Sequence, residues 1–356
     1  MKKLLAIAAF VVGIAAPALA QDWEHAVSLF NQKQMRAAIR EFHSVLKANP
    51  DAWQSWYYIG YGHYQLQEYA DTIDSFNNYL KAAVKDEKAP ITGHYFLGWA
   101  HYQLQQYDKA IPEFTQYIAL SVKGNEKVDV TARGALGRSY IFTQKYAEAV
   151  EPLTAAAAEM KTNASNYYLL GFAHYKLNHI DQATTALSQA LTVDPKEPDA
   201  LALLTEIYFA QMKQNPAAVR QAIATGERLM QVRNDERSWA LLGQAYLFDK
   251  QYTKAAPLLD KYARQHMDSL PAWYNLGVAY SRSNQWKPAA EALEQAIKLQ
   301  PTNLAANLEL GYVYESDKQY DKALAAYERA YDASGRKDET ARGGIDRIKQ
   351  AKPQGQ

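Results

Sequence analysis

The stretch Trp56–Tyr79, WYYIGYGHYQLQEYADTIDSFNNY, decides how the chain is read. Trp56, Ile59, Gly60 and His63 share one face of a helix. Tyr69, Thr72, Phe76 and Tyr79 line one face of a second helix, with Gln67-Glu68 at the turn between them. Gly60 has no side chain, so two helices can approach closely there. Trp56 and Phe76 supply apolar bulk that a single hairpin cannot bury, and neighbouring copies must cover it. The stretch therefore predicts its own repetition.

The copies are present. Ile59-Gly60 is followed by Leu97-Gly98, Leu136-Gly137, Leu170-Gly171, Leu242-Gly243, Leu276-Gly277 and Leu310-Gly311. The glycines are spaced by 38, 39, 34, 72, 34 and 34 residues, and Leu204-Thr205 fills the gap of 72. The second helices agree, with a small residue and a bulky one four later: Ala38/Phe42, Thr72/Phe76, Ala110/Phe114, Ala149/Leu153, Ala183/Leu187, Ala255/Leu259, Ala289/Leu293 and Ala323/Tyr327. Pro50, Pro195 and Pro301 close units, because proline cannot continue a helix. The pattern resembles W-x2-L-G-x2-Y…A-x3-F, the signature of the tetratricopeptide repeat (TPR), whose basic period is 34. In the opening stretch Ile, His and Thr replace three of its letters. The resemblance covers nearly the whole chain after residue 20. It implies an all-α, right-handed superhelical solenoid of about nine helical hairpins with a C-terminal capping helix.

The expected units lie near residues 21–52, 53–86, 91–124, 130–163, 164–197, 198–235, 236–269, 270–303 and 304–335, and residues 336–356 form the cap helix and tail. Three places depart from the period. Lys85–Pro90 and Lys123–Lys127 are added polar turns. The sixth unit has Thr205 in the glycine slot, an enlarged inner turn from Gln211 to Ala217, and Gly226 where bulk is expected. That unit is expected to pack least well. Pro353–Gln356 is expected to fray.

The chain opens MKKLLAIAAFVVGIAAPALA: Lys2 and Lys3, an apolar run, then Ala18-Leu19-Ala20 as an A-x-A cleavage site. That is the layout of a bacterial secretory signal over residues 1–20, and the apolar run is shorter than the roughly 20 residues of a spanning helix. The expectation is a soluble periplasmic or secreted protein with no stable membrane insertion after signal removal. With no cysteine, it has no disulfide and no lipoprotein anchor. Lys+Arg number 39 and Asp+Glu 38; removing Lys2 and Lys3 leaves 37 against 38, a net charge of −1. No basic stripe of the nucleic-acid-binding kind is present.

Catalytic signatures are missing. The sequence has no phosphate-binding glycine loop, nucleophile elbow or H-E-x-x-H helix, and no segment is left over for a catalytic domain. No catalytic residue, cofactor or metal is therefore expected. His63, His101 and His174 recur three residues after a glycine. A metal ladder would need convergent ligands that no unit supplies, so these histidines read as packing residues.

In TPR arrays the first helices line the concave surface, and the resemblance implies a groove there. In this chain its slots hold Tyr57, Tyr61 and Tyr64, then Tyr95, Trp99 and Tyr102, then Tyr168, Phe172 and Tyr175. The fourth unit interrupts the stripe with Gly134, Arg138 and Ile141. Aromatic rings offer contact area at low entropic cost and a polar tip for hydrogen bonds. The family's chaperone-binding subset uses Lys and Asn in such slots to clamp a terminal carboxylate. Tyr57, Tyr61, Tyr95 and Trp99 stand there instead, so that activity is not carried over. The expected function is a non-catalytic scaffold for other proteins or peptides, serving envelope assembly, secretion or surface-polymer export. The alternatives are a glycan- or peptide-binding protein using the aromatic groove, and a self-assembling structural protein.

Overall fold

The computed structural model describes residues 17–84 and 86–351, and every regular element among them is a helix. The expected signal lies outside the described residues except for residues 17–20, as do Lys85 and the expected frayed tail. Two compact units divide between Ala186 and Leu187. The first holds α1 (Pro17–Asn31), α2 (Met35–Ala48), α3 (Gln54–Gln65), α4 (Tyr69–Ala82), α5 (Ala89–Gln103), α6 (Tyr107–Lys123), α7 (Val130–Phe142), α8 (Tyr146–Glu159) and α9 (Ala164–Lys176). The division falls within α10 (Ile180–Val193). The second unit continues with α11 (Pro198–Gln211), α12 (Pro216–Val232), α13 (Glu236–Phe248), α14 (Tyr252–Gln265), α15 (Leu270–Arg282), α16 (Trp286–Leu299), α17 (Leu304–Ser316), α18 (Tyr320–Ala333) and α19 (Glu339–Ala351).

Every hairpin but the sixth is closed by the same three-residue turn. Its middle residue has positive φ in eight hairpins: Lys33, Gln67, Gln105, Gln144, Asn178, Lys250, Asn284 and Lys318. Side chains in this left-handed region are strained, and only Asn tolerates it readily. Two of the three recurring histidines make hydrogen bonds at these turns. His63 Nδ1 bonds Glu68 Oε2 at 2.7 Å, and His101 Nδ1 bonds Gln106 Oε1 at 2.9 Å. Each therefore ties the end of a first helix to the residue preceding the second. Side-chain caps mark the starts of five first helices, where Asp129, Asn163, Asp235, Ser269 and Asn303 each accept a backbone N–H, and of the second helix α12, where Asn215 does.

The glycines sit where the two helices of a hairpin cross. A Cβ on Gly60 would lie 2.7 Å from the Phe76 ring, one on Gly98 2.7 Å from Phe114, and one on Gly137 2.5 Å from Leu153. In the second unit, Cβ atoms on Gly277 and Gly311 would meet Leu293 at 2.5 Å and Tyr327 at 2.6 Å. The bulky residue then reaches the next hairpin. Phe42 stacks on Tyr58, and Phe76 on Phe96, each pair at 4.6 Å and 11°. Tyr58 and Phe96 occupy the same repeat slot, just ahead of Ile59 and Leu97.

In the sixth hairpin buried Thr205 on α11 stands in the glycine slot, and a Cβ on Gly226 of α12 would meet Leu242 of the next hairpin at 3.1 Å and Thr205 Cγ2 at 3.5 Å. One expectation is corrected, that of an enlarged inner turn from Gln211 to Ala217. The Thr205 hydroxyl is satisfied by Leu201 O at 2.7 Å and the Thr225 hydroxyl at 2.8 Å. The inserted residues go mainly into helix. The turn spans residues 212–215, against 66–68 or 249–251 elsewhere, while α12 extends to 17 residues. The two added turns of the first unit touch each other: Lys88 Nζ pairs with Glu126 at 2.9 Å.

First helices crowd together within each unit. α3 touches α5, α5 touches α7 and α7 touches α9; in the second unit α11, α13, α15, α17 and α19 follow the same rule. Second helices make no comparable contacts with one another among the described residues. The first helices therefore occupy the inner side of each curved stack.

Three measurements check this account. Gly98→Ala should destabilise the protein by about 1–3 kcal/mol in urea, since the Phe114 ring has no slack to absorb the methyl; an unchanged midpoint would misplace the crossing. Gln105→Gly should stabilise by about 0.5–1 kcal/mol, through relief of the left-handed conformation less the entropy of glycine. The third concerns alkaline pH. Burial, the largest cause, pushes the phenols of Tyr57 and Tyr79 well above the ordinary value of 10.0. The fold favours their protonated form, so this stabilisation is complete below pH 10 and is lost as pH rises beyond it. Phenolate absorbance from these two rings should appear together with loss of helical circular dichroism. Phenolate growth in a fully helical protein would contradict the burial.

Candidate functional site: the inner face of the first unit

The nine aromatic residues expected in the groove lie on α3, α5 and α9, all in the first unit. Tyr57 is 7% exposed and belongs to the core, with Tyr79 at 6.1 Å and Phe96 at 6.3 Å. The other eight are half-buried. Tyr61 packs on Tyr57 at 6.1 Å and edge-on to Phe96 at 5.6 Å, and Tyr64 meets Phe96 at 5.4 Å. Phe96 is thus the hub between the stripes of α3 and α5. The sequence reading passed over it, although its slot, adjacent to the Leu-Gly pair, is the one that faces the preceding hairpin.

On α5, Tyr95 and Tyr102 flank Trp99 at 6.4 and 5.6 Å, and the Trp99 ring stands edge-on to buried Phe114 at 5.3 Å. The Tyr95 hydroxyl donates to Asp129 at 3.2 Å. Burial first, and then the Asp129 charge, raises the Tyr95 pKa far above the ordinary phenol range. On α9, Tyr168 and Phe172 lie 6.2 Å apart, and Lys176 Nζ sits 5.2 Å over Phe172 and 5.9 Å from the Tyr175 ring.

Between these stripes runs α7, which the sequence reading treated as an interruption. Arg138 is half-buried there and bridges its neighbours, donating to the Tyr102 hydroxyl on α5 and the Ser165 hydroxyl on α9. Three first helices are thereby joined by one guanidinium. No sequence signal marks this, because the partners come from hairpins on either side.

Elsewhere, His63, Glu68 and Asp71 place ligand atoms within 4.8 Å of one another, the one such group among the described residues. Both Glu68 oxygens are already engaged, by His63 at 2.7 Å and by Arg36 at 2.8 Å. The His63 bond is the first cause of the lowered Glu68 pKa. No helix among the described residues is long and apolar enough to cross a membrane.

The tetratricopeptide repeat family matches residues 24–90, 95–164 and 274–338, and a second tetratricopeptide repeat family matches residues 143–207. Residues 215–296 match a family described as anaphase-promoting complex, cyclosome, subunit 3. No curated protein matches in sequence. Among solved structures, YrrB, a TPR protein with an unusual peptide-binding site, is 17% identical over 55% of this chain and 97% of its own, with TM-score 0.49. The C-terminal part of a TPR repeat-containing protein from Cytophaga hutchinsonii is 17% identical over 70% and 98%, with TM-score 0.48. A TPR protein from Parabacteroides merdae is 11% identical over 73% and 99%, with TM-score 0.44. TPR proteins bind other proteins or peptides and are generally non-catalytic scaffolds. By the span of the match and by its stacked helical hairpins, the chain belongs to the tetratricopeptide repeat family.

Proposed function

We propose that the protein is a non-catalytic scaffold that holds extended peptide segments of partner proteins along the inner face of its first unit. The observation that carries this reading is the row of eight half-buried aromatic rings on α3, α5 and α9. Their bodies are fixed by packing, as in the contact of Tyr61 with Phe96, so little side-chain freedom is left to lose on binding. Their accessible portions offer apolar contact and polar tips to a chain lying across the helices. In this proposal residues 21–335 form the array of nine units and residues 336–356 its cap. α19 suits that role, with Ile345 and Ile348 turned inward against α17 and α18 and charged residues on its other side.

The proposed setting is the bacterial periplasm or the outside, in envelope assembly, secretion or surface-polymer export. This part rests on the positive start, apolar run and cleavage motif of residues 1–20.

Peptides selected on the full chain from a random phage-displayed library should slow hydrogen exchange in α3, α5 and α9. A footprint confined to second helices such as α4 and α6 would overturn the inner-face reading. Selective retention of glycans with no peptide enriched would replace the peptide by a carbohydrate.

A further inference from the structure

One inner turn differs in chemistry from the others. In the second and third hairpins, the residue three past the glycine meets the residue just ahead of the second helix. These slots hold His63 with Glu68 and His101 with Gln106, bonded at 2.7 and 2.9 Å. The fifth hairpin has histidine at both: His174 near the end of α9 and His179 just ahead of α10. The side-chain oxygen that accepts from His63 or His101 is gone, and a second ring nitrogen stands in its place.

The two Nδ1 atoms lie 3.5 Å apart, with ring centroids at 5.7 Å and the planes tilted by 45°. That is long for a hydrogen bond, which is best at about 3.0 Å. It is close to the separation that a shared ion imposes: two nitrogens each about 2.0–2.1 Å from a tetrahedral zinc are about 3.3–3.4 Å apart. His174 is half-buried and His179 exposed, so one ligand is anchored and the other can adjust. The turn between them is already fixed, with Asn178 held left-handed at φ 60°, and little backbone freedom remains to be lost. Burial first, and then the neighbouring His179, lowers the His174 pKa, which favours the neutral ring that ligates metals. Lys176, two residues on, is drawn over the rings of Phe172 and Tyr175.

We propose that His174 and His179 bind a divalent transition-metal ion through their Nδ1 atoms, clipping the end of α9 to the start of α10. Water completes the coordination. The site does not depend on the peptide-binding reading. Imidazole nitrogens suit zinc, nickel and copper, with copper the tightest, whereas magnesium and calcium take oxygen ligands. The expectation of no metal rests on the lack of three ligands in any one unit. Two are enough for a clip, because an ion that binds only the closed turn stabilises it by mass action. The cluster of His63, Glu68 and Asp71 lacks this opening, since Arg36 already supplies the cation to Glu68 there.

The test titrates Zn²⁺ by calorimetry into the full chain and into its His179→Gln and His174→Tyr variants. Each variant installs a residue that the same slot holds in another hairpin, as Gln106 and Tyr140 do, so each should fold, and equal circular dichroism checks this. The unaltered chain should bind one ion that both variants lose. Removing even an outer partner of a metal ligand costs about 10–100-fold in affinity, so loss of one of two ligands should cost at least about tenfold. Cu²⁺ should bind more tightly than Zn²⁺ with the same dependence on both histidines, and Mg²⁺ should not compete. Bound Zn²⁺ should slow hydrogen exchange across the turn between α9 and α10. If one variant fails to fold, the other decides together with this exchange footprint. Equal Zn²⁺ binding by the unaltered chain and the variants would put the ion on other histidines, such as the His63 cluster, and overturn the site. Loss in one variant only would reduce it to a lone histidine and overturn the clip. So would the absence of saturable binding, or displacement of Zn²⁺ by Mg²⁺, which marks a carboxylate site.

Discussion

The structure depends on one close approach, repeated: a residue without a side chain on the first helix of a hairpin lets a bulky side chain on the second pass through the crossing. Phe76 shows what this achieves. Its ring fills the space left by Gly60 and emerges to stack on Phe96 of the following hairpin. One side chain is thus core to its own hairpin and glue to the next. This is why a single hairpin leaves apolar surface uncovered and why stability in such arrays builds from neighbour to neighbour. The sixth hairpin places a threonine in the glycine slot, buried and with its hydroxyl bonded to Leu201 O and the Thr225 hydroxyl.

The fold was legible in the sequence because the crossing leaves a strict record of spacing. Gly60 to Phe76, Gly98 to Phe114 and Gly277 to Leu293 are each 16 residues apart, and only a fixed turn between two helices of constant length produces that. The sixth hairpin was misjudged for the same reason. Its insertion moves Gly226 out of register, and spacing alone does not reveal that α12 has absorbed the added residues as helix. Periodicity reports which residues share a face of one helix. It is silent about what the neighbouring hairpin brings to that face.

That limit shaped the reading of the inner face. The aromatic slots were visible, but their depth was not. Tyr57 is drawn into the core because Tyr79 and Phe96 close around it, whereas Tyr61, one turn later, keeps part of its ring accessible. Arg138 looked like a gap in an aromatic stripe and is the cross-brace between two of them. Its partners are 36 and 27 residues distant in the chain, and no local pattern links them.

The three-residue inner turn has a consequence for how such a chain can change over time. Its length is set by geometry, with a strained middle residue between two helices that must meet at a fixed crossing. An added or lost codon there would rotate every later residue of the second helix away from its partner, unless further residues are added with it, as in the sixth hairpin, where α12 is lengthened to 17 residues. The connections between hairpins carry no such constraint, and the surplus residues of the first unit are found there, in two stretches that pair through Lys88 and Glu126. In the first unit, variation in length is thereby steered to the outside of the hairpins. The inner surface can change its chemistry residue by residue, with each substitution arriving at a position whose height along the array is already set.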